Sequence, residues 1–556
     1  MIATLPRNIT LHVRLRPLMA QDSMLIYTIK IRVYVASTFS FFYLMENNNS
    51  QFKSLVICLY LTFIITECII SATRKRRAMI KKSKVLNPYL LLIISFMIMV
   101  LIGSFLLSMP FVFKNNPKNE WCHVGTYLDA FFTSLSAMTL TGLTTYAEGL
   151  GDTLSLAGHI IVIVLVQIGG LGIVTILTFL FSIFRRKLQF KDRLMISQAI
   201  AFTNFSEIVT FVRRLMIITI VTEALGFALG LPVFLTLFPN DLPNVFGYSL
   251  FYSISSFNNA GFDLFSSTNS LIDGLYTFNG AAILTNNWLY YYFVIYNGIL
   301  SILGGISFLV IIDMVFEHKG PRRWTSFTKI VLTMTGGLIL AMSLLLFLTD
   351  GLKKDHPMNF FQVVFQIINC RTAGYSVYPQ SEISLPGRMI CAIMMFIGGA
   401  PLSTAGGIKV TTVFIIMISI FSYFRGKRLP AFKRNFSDTI IAKSMSLVFI
   451  VVSIVLVAFV AIDLFGVVEL EGHPMDESLK GELVSLYFFS AFSFFGNVGF
   501  YTGIEPYLSI GAKIVLCFLM LLGHLGPMAF FQLFQNNLDK KANVHYSFVE
   551  EDFLIG

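Results

Sequence analysis

Four short stretches of this 556-residue chain each run from an apolar segment into a small, polar turn that reaches a glycine: FFTSLSAMTLTGL, FYSISSFNNAGF, NFFQVVFQIINCRTAGY and FFSAFSFFGNVGF. The glycines are Gly142, Gly261, Gly374 and Gly499, spaced 119, 113 and 125 residues apart. The chemistry such turns offer is that of the main chain. Glycine lets a loop expose carbonyl oxygens in conformations that other residues avoid, and a ring of carbonyls can replace the hydration shell of an ion. The donors would come from Thr141, Gly142 and Leu143 in the first loop and Asn259, Ala260 and Gly261 in the second. Thr372, Ala373 and Gly374 would supply the third, and Asn497, Val498 and Gly499 the fourth. None of these loops holds an acidic residue. Carbonyls rather than carboxylates must therefore coordinate, which argues against calcium, for which an acidic ring is favoured.

Something must hold these loops. Each apolar half is long enough for about three helical turns, and its C-terminal end would aim partial negative charge at the turn, favouring a cation. An arginine and a glycine turn beside so short a helix make a poor membrane span but a good re-entrant loop. Composition supplies the membrane: 55% of residues are apolar and 13% charged, and the mean hydropathy is +0.75. Soluble chains carry about 25% charged residues. Long apolar runs exclude the alternating code of a β-barrel, so the fold class is an all-α polytopic membrane protein.

Read in order, the chain is four tandem span–pore-helix–span repeats around one central pore, with one or two extra N-terminal helices. Residues 1–85 form the N-terminal extension, with apolar segments at 24–45 and 54–72. Met45, in MENNNSQFK, is an alternative start. The repeats occupy 86–190, 191–320, 321–430 and 431–540, and 541–556 is a cytoplasmic tail. Within them the expected spans and re-entrant segments are 88–113, 127–145 and 156–184; 215–238, 245–262 and 289–316; 327–349, 358–375 and 387–424; and 443–462, 482–500 and 507–534. The segments between repeats are basic, as in Arg185, Arg186 and Lys187, whereas 239–288 contains no Lys or Arg and 463–482 is acidic. By the positive-inside rule the basic loops are cytoplasmic. All four glycine loops then enter from outside, and the repeats are parallel rather than inverted. The net charge of +11 reads as topology rather than nucleic-acid binding.

One span is interrupted by IGGAPLSTAGGIKV, residues 397–410, too polar for a lipid-facing helix. With TLTGL, NNAGF, CRTAGY and GNVGF, this stretch resembles the Trk/Ktr/HKT superfamily of potassium transporters over about residues 88–535. The resemblance implies potassium uptake through a channel-like pore with a four-loop carbonyl selectivity filter. Glycine at all four filter positions goes with potassium selectivity in that family. The interrupted span implies an intramembrane gate built from Gly398, Gly399, Ala400, Ser403, Thr404, Ala405, Gly406 and Gly407. It also implies a homodimer on a separate cytosolic ring of nucleotide-binding regulatory subunits, with sodium a possible activator or co-ion. The Ktr type fits the compact core better than the Trk type. One residue departs from the pattern: GHLGP puts His524 where the family commonly has an arginine that contacts the gate. Two readings stay open, a histidine whose partial charge makes gating pH-sensitive and a neutral histidine bonded to the gate loop.

Other residues read as structural. The six cysteines have no metal or redox spacing and the eight histidines form no HExxH motif; there is no phosphate-binding P-loop. Gly169-Gly170 and Gly304-Gly305 read as close helix contacts, Arg371 as a tie between the third pore helix and its neighbours, and Asp313 and Glu223 as capping or snorkelling groups near span ends. A sodium-coupled carrier of another small solute is the alternative function, though such carriers usually have inverted repeats. An enzyme is not expected, since no nucleophile–base or metal signature occurs.

Overall fold

The computed structural model describes residues 88–114, 116, 121, 127–146, 149–172, 208–265, 287–317, 320–353, 357–371, 373–427, 430, 432, 434–466 and 477–526. The apolar segments expected at 24–45 and 54–72 lie outside these residues, as does Thr372. The described chain is helical; its extended pairing is limited to two isolated bridges, Phe113 with Leu154 and Ile397 with Ile408.

The order of a first helix, a short helix, a loop and a second helix recurs along the chain. It is carried first by α1 (Pro88–Leu107), α2 (Tyr127–Thr139), the one-turn α3 (Gly149–Thr153) and α4 (Leu156–Leu171). Next come α5 (Ile208–Leu237), α6 (Leu242–Phe257), α7 (Asn287–Gly305) and α8 (Phe308–Val315). The third set is α9 (Ser326–Leu346), α10 (Phe360–Cys370), α11 (Leu385–Phe396) and α12 (Val410–Arg425). The last is α13 (Asp438–Phe465), α14 (Glu477–Gly496) and α15 (Ile510–Leu525). Local chemistry sets many of the starts. The Asp241 carboxylate accepts the Asn244 N–H at the head of α6, Asn359 and Gln362 form a capping box on α10, and Thr325, Ser384 and Ser509 cap α9, α11 and α15. Each satisfies an N–H that the helix itself leaves orphaned.

Three described helices, Val209–Leu237, Ser326–Gly351 and Asp438–Phe465, are long and apolar enough to cross a membrane. Their outer faces are oily: Leu340, Phe449 and Leu464 are 74, 75 and 80% exposed. A bilayer asks for such an exterior, whereas water penalises it. The expected span 289–316 differs from the structure. It is two helices, α7 and α8, meeting at 97°. Ser307 turns its side chain to accept the Leu309 N–H at the start of α8, so the corner restarts a helix rather than bending one. Asp313 is not snorkelling: its carboxylate accepts from Thr325 N–H and from the hydroxyls of Thr325 and Thr328, clipping α8 to the head of α9. Glu223 is not near a span end either; it sits midway along the 30-residue α5.

The arrangement is cyclic. Each second helix packs between its own short helix and the next one along: α4 between α2 and α6, α7 between α6 and α10, α11 between α10 and α14, and α15 between α14 and α2. Glycines allow the closest approaches. A Cβ on Gly169, Gly304 or Gly523 would fall 2.3, 1.8 or 1.9 Å from the carbonyl oxygen of Met138, Phe257 or Phe495, in the last turn of the neighbouring short helix.

Candidate functional site

The short helices carry buried serines rather than a purely oily face, and these organise the loops. Three of the helices have a serine six residues before the loop glycine: Ser136, Ser255 and Ser493. Their carbonyls accept the N–H of the residue before the glycine, in Thr141 to Ser136 at 2.8 Å, Ala260 to Ser255 at 2.8 Å and Val498 to Ser493 at 2.9 Å. Their hydroxyls turn outward to the far side of the loop. Ser136 accepts the Leu143 N–H, Ser493 accepts those of Gly499 and Phe500, and Ser255 accepts the Tyr375 hydroxyl of the third loop at 2.7 Å. In the third loop, where Ile368 replaces serine, the N–H groups of Ala373 and Gly374 share the Asn369 carbonyl. These serines were not singled out in the sequence, although their recurring position was there to be read.

The backbone above them is unusual. All four glycines have positive φ, at +86°, +69°, +66° and +76° for Gly142, Gly261, Gly374 and Gly499. Two residues earlier, Leu140, Asn259 and Asn497 also have positive φ, a conformation uncommon for residues with side chains. A left-handed residue on either side of an ordinary one turns successive peptide groups so that their carbonyls can share a face.

The glycines close a ring. A Cβ on Gly142 would lie 2.0 Å from the Ala260 oxygen, one on Gly261 2.0 Å from Ala373 O, one on Gly374 1.9 Å from Val498 O, and one on Gly499 1.6 Å from Thr141 O. Each loop's glycine thus abuts the carbonyl that precedes the next loop's glycine, and the fourth returns to the first. Thr141, Ala260, Ala373 and Val498 are all buried. The structure brings Gly142, Gly261, Gly374 and Gly499 and their preceding residues together; Leu143 is buried just beyond. Carbonyl oxygens so gathered, with no carboxylate among them, suit a cation that sheds its water without needing a strong negative charge.

Side chains lock loop to loop. Asn497 Nδ2 donates to Thr141 Oγ1 at 3.0 Å and to the Met520 carbonyl at 3.0 Å, joining the fourth loop to the first and to α15. Just past the second loop, Asp263 accepts from the Tyr252 hydroxyl and the Phe265 N–H. Burial pushes its carboxyl pKa up, and these hydrogen bonds act against that shift.

The segment 397–409 leaves α11 and rejoins α12 as a loop pinched at its neck, where Ile408 N–H donates to Phe396 O. Inside it Ser403 Oγ donates to Ala400 O and Lys409 Nζ to Ala405 O. It touches three of the glycine loops. Thr404 Oγ1 accepts from Asn259 Nδ2 at 2.9 Å and donates to Gly304 O at 3.1 Å. Gly406 abuts the Gly496 carbonyl and the Asn497 side chain. Arg371 Nε donates to Gly398 O at 3.4 Å, and Gly399 and Ala400 lie against Gly305, whose carbonyl accepts the Ala400 N–H. Gly407 supplies a left-handed turn at φ +70°. His524, at the end of α15, has its ring 5.3 Å from that of Phe96 and bonds the Thr139 carbonyl, with Lys409 near enough to act on it through its charge.

Farther out, two cations on second helices reach the next short helix. Lys513 of α15 pairs with Asp129 of α2 at 2.7 Å, and Arg388 of α11 with Glu482 of α14 at 3.1 Å. Both acids sit near helix N-terminal turns, the end that favours negative charge.

Against this geometry stand the comparisons. The family model TrkH, described as a cation transport protein, matches residues 61–546. The potassium/sodium uptake protein NtpJ of Enterococcus hirae is 28% identical over 481 residues, covering 85% of this chain and 98% of its own. The Ktr system potassium uptake protein B of Bacillus subtilis is 29% identical over 480 residues, covering 84% and 98%. Among solved structures, the potassium transporter TrkH from Vibrio parahaemolyticus aligns with a TM-score of 0.57 at 18% identity, over 81% of this chain and 86% of that one; this likeness concerns the fold.

Proposed function

The chain belongs to the TrkH family of cation transport proteins, and from that premise we propose that it takes up potassium across the cell membrane through a single pore bounded by four tandem repeats. The observation that carries the reading is the closed cycle of Gly142, Gly261, Gly374 and Gly499 against one another's neighbouring carbonyls. In this reading the cycle is the selectivity filter, with Thr141 to Leu143, Asn259 to Gly261, Thr372 to Gly374 and Asn497 to Gly499 presenting oxygens to a dehydrated ion. Segment 397–409 is the gate. Its hydrogen bonds to Asn259 and Gly304 and its contact with Gly406's neighbour Asn497 let gate movement and loop geometry act on each other. The names of the Ktr and NtpJ relatives, and 28–29% identity over nearly their full length, support potassium as the ion and a Ktr-type assignment. In this reading the chain forms a homodimer that works with a separate cytosolic nucleotide-binding subunit; the word system in the Ktr name supports only that other subunits take part, and the NtpJ name, potassium/sodium uptake protein, supports a role for sodium. Basic inter-repeat loops put the gate side in the cytoplasm.

The test is growth and potassium uptake in a strain lacking its own potassium uptake systems, with the chain expressed alone and with a cytosolic ring subunit. Uptake at low external potassium in either case is the expected result. A chain that reaches the membrane but moves no potassium under both conditions would sink the reading.

His524 gives a second expectation. Its contacts are with Phe96 and Thr139 rather than a carboxylate, so an arginine there would add a permanent charge next to Lys409. His524→Arg is expected to lower flux throughout the range of about pH 5.5 to 8, because a guanidinium keeps its charge across it. Identical flux profiles for the variant and the wild type would exclude a gating role for this side chain.

A further inference from the structure

Behind the second glycine loop lies a carboxylate that the mechanism above does not use. Glu223 stands midway along α5, whereas α1 and α9 carry no acidic residue and the acids of α13, Asp438 and Asp463, are at its ends. A carboxyl in mid-membrane is costly and marks function more often than packing. Glu223 is bound to the second short helix twice. Its main-chain carbonyl accepts Ser253 Oγ at 2.6 Å, and its Oε1 accepts Asn258 Nδ2 at 3.1 Å. The same amide donates to Gln167 Oε1 of α4 at 3.0 Å and to the Ile254 carbonyl at 2.9 Å.

Asn258 is wholly buried and its Oδ1 has no hydrogen-bond partner. That oxygen rests on Gly170, where a Cβ would fall 2.0 Å from it. The amide is therefore oriented through its nitrogen alone, by Glu223, Gln167 and Ile254. Asn258 is also the C-cap of α6, so its placement sets where the loop departs. The next residue, Asn259, adopts the left-handed conformation at φ +56° and donates to Thr404 of the 397–409 segment. At the matching place, three residues before the glycine, the other loops have Thr139, Arg371 and Gly496. The Thr139 hydroxyl bonds within its own repeat, to Leu135, Ser136 and Thr141. Among the described residues, the second loop is thus the one held from a first helix by a carboxylate.

We propose that Glu223 is a positioning residue for ion selection: through Asn258 it fixes the second glycine loop, and through Asn259 that loop's tie to Thr404. The inference rests on the proposed potassium pore and deepens it. A helix-packing role would affect every ion alike; a positioning role changes the ratio between two ions of different size, because it sets the spacing of the oxygens they meet.

The experiment compares potassium and sodium uptake by the full chain in the uptake-deficient strain, for the wild type, E223L and E223Q, with membrane protein quantified in each. E223L is expected to lower the potassium-to-sodium ratio about tenfold, the effect of losing one buried hydrogen bond when the loss falls on one ion. E223Q keeps an acceptor oxygen and recovers most of the ratio. Should E223L not reach the membrane, N258A removes the donor with Glu223 in place and carries the same expectation. An unchanged ratio in the membrane-inserted variants overturns the proposal, as does an equal loss of both ions or an E223Q no better than E223L. No potassium uptake by the wild type would instead overturn the pore reading on which the proposal rests.

Discussion

Gly374→Ser is expected to cut potassium uptake at least about tenfold and to let sodium compete for what remains. Two independent effects act at that position. The backbone is left-handed, at φ +66°, which costs an L-residue about 1–2 kcal/mol. The new Cβ would also fall 1.9 Å from the Val498 oxygen, far inside contact distance. The obstacle is main chain, not the end of a flexible side chain, so the Val498 carbonyl or the whole third loop must move. Either movement spoils the spacing of the oxygens in the cycle, and selectivity depends on that spacing more than on the presence of any one oxygen. Gly337→Ala on α9 is the matched control. Nothing lies within 4 Å of a Cβ there, and alanine is the better helix former by about 1 kcal/mol, so uptake should be unchanged. Equal uptake and equal selectivity in Gly374→Ser and wild type would mean that the glycine cycle is not the filter.

The glycine turns could be found in the sequence because their constraint is local. A left-handed residue that abuts a neighbouring carbonyl must be glycine, and four such sites at similar spacing stand out in the chain. The break between α11 and α12 is visible for a similar reason, since residues 398–407 are too small and polar to continue an oily helix. What spacing does not reveal is partnership across the cycle. That Gly142 faces Ala260 and Gly499 faces Thr141 depends on how the second helices insert between short helices. Nor did the corner between α7 and α8 show itself. Gly304-Gly305-Ile306-Ser307 reads as an apolar span with small residues, and only the packing of Gly304 on the Phe257 carbonyl, together with the Ser307 cap, makes it a 97° turn.

Glu223 was misjudged for a related reason. The apolar segment expected from hydropathy starts at residue 215, which puts the acid near one end. The helix in fact begins at Ile208 and runs unbroken to Leu237, through Pro232. Hydropathy marks where lipid-compatible sequence begins, whereas helix ends are decided by caps and tertiary contacts. Ion pairs between distant copies leave still less trace. Lys513 and Asp129 are 384 residues apart, and neither is remarkable within its own segment.

That pair is the site of the other large expected effect. Lys513→Met is expected to destabilise the protein by about 3–5 kcal/mol, because it takes the paired ammonium away from a buried carboxylate. The side chains of Lys513 and Asp129 are only 11 and 8% exposed, so water cannot take over the lost interaction. After the substitution Asp129 would keep the Thr145 hydroxyl, which now donates to it at 2.7 Å, but would lose the Lys513 ammonium. The position matters as much as the energy. The contact of α15 with α2 joins the last of the four helix sets to the first, so weakening it opens the cycle where Gly499 meets Thr141, the tightest of the four approaches. Loss of stability and loss of selectivity should therefore appear together. Asp129→Leu alone should cost a similar amount by stranding the ammonium. The double variant, with no charge left to desolvate, should regain most of the thermal stability lost by either single change. Unfolding midpoints of the purified protein in detergent, measured for all four members of this cycle, test the coupling. Additive losses across the cycle would show that the two groups act separately and that this pair does not couple α15 to α2.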